Sequence, residues 1–161
     1  RLPPAVPYNR RADFAYSDRP LPVEEVVQRI HALEPENTEP LSVSPLFDWL
    51  TDAGLLAWMP NSRDGYAYLP TQSGGEVGIL VEPGAGAVLY TLSAQHFIMD
   101  ALDDILDEAA RQLSLRHTPW TPEEDARLAQ LRREGQHPEE IAETLARPAS
   151  AVRQRLLERG I

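Results

Sequence analysis

The sequence predicts a mainly α protein with a small β component: a winged-helix-like α+β domain followed by a trihelical helix-turn-helix domain. Three observations predict it. Residues 120–161 hold three short amphipathic segments separated by breaks at Gly135 and Arg147-Pro148. Residues 44–69 run helix, glycine, apolar strand, Asp64-Gly65 turn and second strand. Between these regions the apolar periodicity stops, from Leu113 to Pro119. The expected division is an extended arm over 1–20, a winged-helix-like domain over 21–113, a linker over 114–118 and the trihelical domain over 119–161. A chain of 161 residues accommodates two such small domains.

Taken in order, Pro3, Pro4, Pro7 and Pro20 argue against helix in the arm. Its aromatics Tyr8, Phe14 and Tyr16 are expected to pack on the domain; the sharper alternative is an arm reaching nucleic acid through Arg10 and Arg11. The first helix is expected over 22–33, started by Pro22, with Val23, Val26, Val27, Ile30 and Leu33 on one face. A polar loop from Glu34 to Pro40 precedes a second helix from Ser44 to Ala53, closed by Gly54. Strands near 55–59 and 66–69 form the expected wing, with its tip at Arg63-Asp64-Gly65. The glycines from Gly74 to Gly78 are not a phosphate loop, because the lysine of that motif exists nowhere in the chain. Pro83 to Gly86 reads as a turn and Ala87 to Thr91 as a strand. Ser93 then caps one long helix over 94–113. Its exposed side carries Asp100, Asp103, Asp104, Asp107 and Glu108, which read as a solvated face. No internal repeat is evident.

The C-terminal segment opens Trp120-Thr121-Pro122-Glu123-Glu124-Asp125. A hydroxyl residue, a proline and acids are the chemistry of a helix start. Leu128 and Leu131 follow; a second helix from Pro138 carries Ile141, Ala142 and Leu145, and a third from Ala149 carries Val152, Leu156 and Leu157. The opening residues resemble the first helix of Myb/SANT-like domains. Ile141-Ala142, Leu145 and the run from Arg147 to Leu156 resemble the second and third, although Pro138 and Leu156 stand where the later Myb tryptophans fall. The segment is also similar to the bacterial GcrA-type helix-turn-helix. It matches at Trp120-Thr121, Leu131, Glu134-Gly135, Ile141-Ala142, Leu145, Ala151-Val152, Arg155-Leu156 and Gly160-Ile161. The resemblance implies a DNA-binding unit whose third helix enters the major groove. In the middle of the chain, Phe47, Trp49-Leu50, Gly54-Leu55, Pro70-Thr71, Gly78-Ile79, Leu89-Tyr90, Ala94-Gln95 and Phe97-Ile98 resemble a winged-helix-like module of uncharacterised bacterial and prophage proteins.

Charge qualifies this reading. All 15 basic residues are Arg, a composition that hints at a high-GC bacterial genome. Residues 1–115 hold 7 Arg and 17 acids, net −10; residues 116–161 hold 8 of each, net zero. A nucleic-acid binder shows a basic footprint, and this chain as a whole shows the reverse. Duplex binding would therefore rest on a local Arg face. The candidate contacts are Arg153 and Gln154 to base edges, with Ser150 beside them, all taken to point outward from the third helix. Arg147 before that helix and Arg63 on the wing tip are candidates for phosphates, while Arg155 is read as a partner of Trp120.

The absence of Cys excludes disulfides and thiolate metal sites and fits a cytoplasmic protein. His31, His96, His117 and His137 lack metal-ligand spacing, and no enzyme motif occurs, so no cofactor, metal or catalytic activity is expected. No membrane span is expected. Arg1 is not a natural start, so the native N-terminus is expected to lie upstream. Two functions follow. The first is a DNA-binding transcriptional or DNA-transaction regulator that reads double-stranded DNA. The second is an interaction protein whose acidic domain and SANT-like unit dock a protein partner or a second copy.

Overall fold

A computed structural model describes residues 1–61, 65–115 and 119–161. The chain forms two compact units, Arg1–Ala110 and Arg111–Ile161. Each has its own apolar core.

The first unit opens in extended chain, with Leu2 bridged to Thr38. Contrary to the proline argument, one helical turn follows, α1 (Tyr8–Arg11). The reason is positional: the prolines end at Pro7, which precedes the turn at φ −58°, and none recurs before Pro20. Val6 and Phe14 are buried in the core, while Tyr8 and Tyr16 stay exposed. Both arm arginines bind within the unit. Arg11 donates to the Val6 carbonyl and to Asp103, and Arg10 pairs with Asp13.

Helix α2 (Val23–His31) buries Val23, Val26, Val27 and Ile30, a stripe at helical spacing, with Glu24 and Glu25 at its positive end. Helix α3 (Val43–Asp52) buries Leu46 and Leu50 completely. Strands β1 (Leu56–Asn61) and β2 (Gly65–Pro70) pair antiparallel from Leu56↔Pro70 to Asn61↔Gly65. The tip at 62–64, including Arg63, lies outside the described residues. The glycine-rich stretch, for which no helix is expected, forms helix α4 (Gln72–Glu76). Gly74 is buried so tightly that a Cβ would stand 2.0 Å from the Leu55 carbonyl oxygen. Here glycine serves close backbone approach, which outweighs its poor helix propensity.

Strands β3 (Ile79–Val81) and β4 (Val88–Tyr90) make a second hairpin. Helices α5 (Leu92–Asp100) and α6 (Leu102–Leu115) then replace the single helix expected over 94–113. Ala101 leaves helical geometry at φ −98°, ψ 10°, yet the hydrogen bond from Ile105 N–H to the Ala101 carbonyl continues across the break. The cap is Thr91, not Ser93. Helix α6 runs through Leu115, into the expected linker.

One local design occurs twice in this unit. Helix α3 ends at Gly54 (φ 81°), a hairpin follows, and Thr71 caps α4 while donating to the Gly54 carbonyl at 2.6 Å. Helix α4 ends at Gly78 (φ 103°), a hairpin follows, and Thr91 caps α5 while donating to the Gly78 carbonyl at 2.7 Å. A left-handed glycine turns the chain out of each helix, and a threonine ties the returning strand back to that turn. Gln95, fully buried on α5, accepts from Ser17 N–H and donates to the Ser17 and Tyr90 carbonyls. It fixes the N-terminal segment, and burying its amide is tolerable because its polar atoms are matched.

Candidate nucleic-acid interface on the C-terminal helices

The second unit contains α7 (Pro122–Arg133), α8 (Pro138–Leu145) and α9 (Ala149–Arg159). Helix α7 starts with a capping box: Thr121 accepts from Glu124 N–H, and the Glu124 carboxylate accepts from Thr121 N–H. Gly135 (φ 87°) and Ala146 (φ 53°) turn the chain between helices. Leu128, Leu131, Ile141, Ala142, Val152 and Leu156 form the core, with Trp120 packed at its edge.

This geometry redistributes the candidate contacts. Arg147 is not a free phosphate ligand: it is 7% exposed and grips Glu124 with two nitrogens at 2.9 and 2.7 Å. It also donates to the Pro119 carbonyl, and its guanidinium lies 4.6 Å from the Trp120 ring centroid. Arg153 does not point outward either. It is 1% exposed and pairs with Glu139 of α8. On a helical wheel Arg153 lies about 100° from Val152 and about 60° from Leu156, close enough to the inner face for a long side chain to turn in. Glu139 supplies the partner that makes the turn favourable.

Arg155 holds Asp125 of α7 bidentately, at 2.9 and 2.7 Å, and stands 5.8 Å from the Trp120 centroid, the aromatic contact expected of it. Arg159 adds a second, longer ion pair to Asp125. Three arginines on or before the third helix therefore clamp it to the first and second. Their partners Glu124, Asp125 and Glu139 were legible only as acids suited to helix starts, because nothing local to them reveals a residue 14–30 positions away.

Of the other candidates, Ser150 is half-buried and Gln154 is exposed, its amide donating to Glu158. With Leu157 (50% exposed) they lie along one side of α9, spaced by four and three residues, and Ile161 (48% exposed) follows the left-handed Gly160 that ends the helix. The exposed α9 residues thus combine amide, carboxylate, apolar and, at Arg159, guanidinium groups. Arg127 and Arg133 on α7 are exposed cations that the motif reasoning did not single out. Arg63 lies outside the described residues.

The clamps also set a pH dependence. The Arg147 guanidinium holds the Glu124 carboxyl below its ordinary value of 4.5, and Arg155 does the same for Asp125 below 3.8. For Glu139, burial raises the carboxyl, but the Arg153 hydrogen bond and a backbone N–H outweigh it, leaving a net lowering. A carboxyl depressed by folding stabilises the fold fully above its unfolded value and loses that contribution as pH falls through the folded value. The second unit is therefore expected to be stable at pH 6 and to weaken progressively below about pH 4.5. Trp120 fluorescence, followed in denaturant melts at several pH values, checks this; equal midpoints at pH 6 and pH 3 would contradict it.

Among the described residues no cluster of His, Asp or Glu could hold a metal, and no helix is long and apolar enough to cross a membrane. No protein-family model, curated protein or solved structure matches the chain.

Proposed function

We propose that the chain is a protein-interaction module: its acidic first unit recruits a basic partner, and its trihelical unit docks protein through the outer face of α9. The observation that carries this reading is the inward turn of Arg147 and Arg153, with Arg155 held on Asp125. A recognition helix gains affinity by offering cations to phosphates and forked donors to base edges. Here those three cations already have carboxylate partners, and what faces solvent is Gln154, Leu157, Glu158, Arg159 and Ile161, with Arg159 itself paired to Asp125. Such a mixed apolar and amide surface suits a protein. The net charge of −10 over residues 1–115 points the same way.

The second reading is duplex binding. Ser150 and Gln154 on the third helix of a trihelical unit favour it, as do the exposed Arg127 and Arg133.

A photoreactive amino acid in place of Gln154 separates the two readings. After irradiation in the native cell, a protein adduct abolished by Leu157→Asp is expected. A DNA adduct in its place would establish the duplex reading. In vitro, residues 116–161 and the full chain are expected to leave duplex DNA unbound even at low salt. Tight, salt-sensitive binding by either would overturn the docking reading.

A further inference from the structure

From Leu56 to Pro60 and from Tyr66 to Pro70, hairpin β1–β2 carries apolar and aromatic side chains on both faces. Side chains alternate along a strand, so the register puts Trp58, Tyr66 and Tyr68 on one face and Ala57, Met59, Ala67 and Leu69 on the other. The aromatic face is covered at its base: Leu56 is 2% exposed, and Tyr68 stacks on Phe47 of α3 with centroids 4.4 Å apart. On the other face Ala57, Ala67 and Leu69 are half-buried and Met59 is 43% exposed. A ribbon with one face on a core ordinarily turns polar side chains outward. This one offers no charged side chain among its described residues.

The flanking sequence is mainly acidic. From Leu41 to Gln95 the sequence holds five acidic residues and a single basic one, Arg63, which lies outside the described residues. Glu76 on α4 and Glu82 just past β3 are exposed, and α4 and β3 both adjoin β2.

We propose that the Met59 face of the hairpin docks a cationic amphipathic segment of a protein partner. The segment's apolar side covers Ala57, Met59, Ala67 and Leu69, and its Lys and Arg side chains meet the field of Glu76 and Glu82. Unbranched Met59 adapts to the shape of an apolar ligand. Charge complementarity selects this occupant over a second copy of the chain, which would bring the same acids to the same face. It also selects against a nucleic acid, which the acids repel. The proposal rests on reading the first unit as the recruiter of a basic partner.

The test titrates the full chain with a labelled helical peptide of Leu and Lys and with its Leu and Glu twin, followed by anisotropy. The Lys peptide is expected to bind, more weakly as salt rises, and the Glu peptide to remain free. Met59→Asp is expected to weaken binding by about tenfold, by removing apolar contact at the seat. The sign is diagnostic, because the added negative charge would strengthen a purely electrostatic association. Met59→Ser, with an unchanged thermal midpoint, is expected to move the same way by a smaller factor, and it decides the matter if the Asp variant misfolds. Unchanged or tighter binding by these variants overturns the Met59 site alone. Failure of the wild-type chain to bind the Lys peptide at low salt overturns both the site and the recruiter reading.

Discussion

Arg153→Ala is expected to cost the second unit about 3 kcal/mol, the lower end of the range for breaking a buried ion pair. The lower end applies because Glu139 remains 38% exposed and regains some hydration when its partner is lost. The Arg153 side chain is 2% exposed, so truncation also leaves a void between α8 and α9. Arg153→Met, which refills the void without the charge, is expected to recover part of the loss. Arg147→Ala should behave similarly, since it deprives Glu124, Pro119 and Trp120 of one shared partner. Trp120 is the only tryptophan of this unit, so fluorescence-monitored denaturant unfolding of a Trp49→Phe, Trp58→Phe background reports on it selectively. If Arg153→Ala leaves the midpoint unchanged, the residue is not a clamp, and its earlier reading as a base contact returns.

The second large effect belongs to the first unit. Gly78→Ala is expected to destabilise it by about 3 kcal/mol, combining strain at positive φ with loss of a helix cap. At φ 103° an added Cβ would stand 2.2 Å from Thr91 Oγ1, the hydroxyl that caps α5 and donates to the Gly78 carbonyl. Relief of the clash must push Thr91 away and undo both bonds. Gly84→Ala is the control. Gly84 also has positive φ (84°), but nothing lies within 4 Å of its added Cβ, so only backbone strain remains, about 1 kcal/mol. Thermal unfolding followed through Trp49 and Trp58 should show a drop of roughly 10 °C or more for Gly78→Ala and a smaller one for Gly84→Ala. Equal drops would show that the Thr91 tie contributes nothing.

Much of this architecture follows from neighbours in sequence. The stripes of α2 and α3, the pairing of 56–61 with 65–70, and the start of α7 at Thr121-Pro122 are set by residues within a few positions of each other. Periodicity, turn chemistry and capping act over that range. Helix α4 was illegible for the opposite reason. Three of the five residues of QSGGE, Ser73, Gly74 and Gly75, favour irregular chain, and it is the contact of Gly74 with Leu55, 19 positions away, that rewards a helix there.

The interface shows the same division more sharply. Local pattern alone places three helices over residues 120–161 and arginines on the third. Composition alone gives the acidic excess of residues 1–115. Where those arginines point depends on how the three helices pack. A guanidinium on a flexible stem near the edge of an apolar face can turn to solvent or to the interior, and local sequence is indifferent between the two. The choice falls to carboxylates brought alongside by the packing of α7 and α8: Glu124 for Arg147, Asp125 for Arg155, Glu139 for Arg153. A buried cation needs such a partner, and once it has one it is withdrawn from any phosphate.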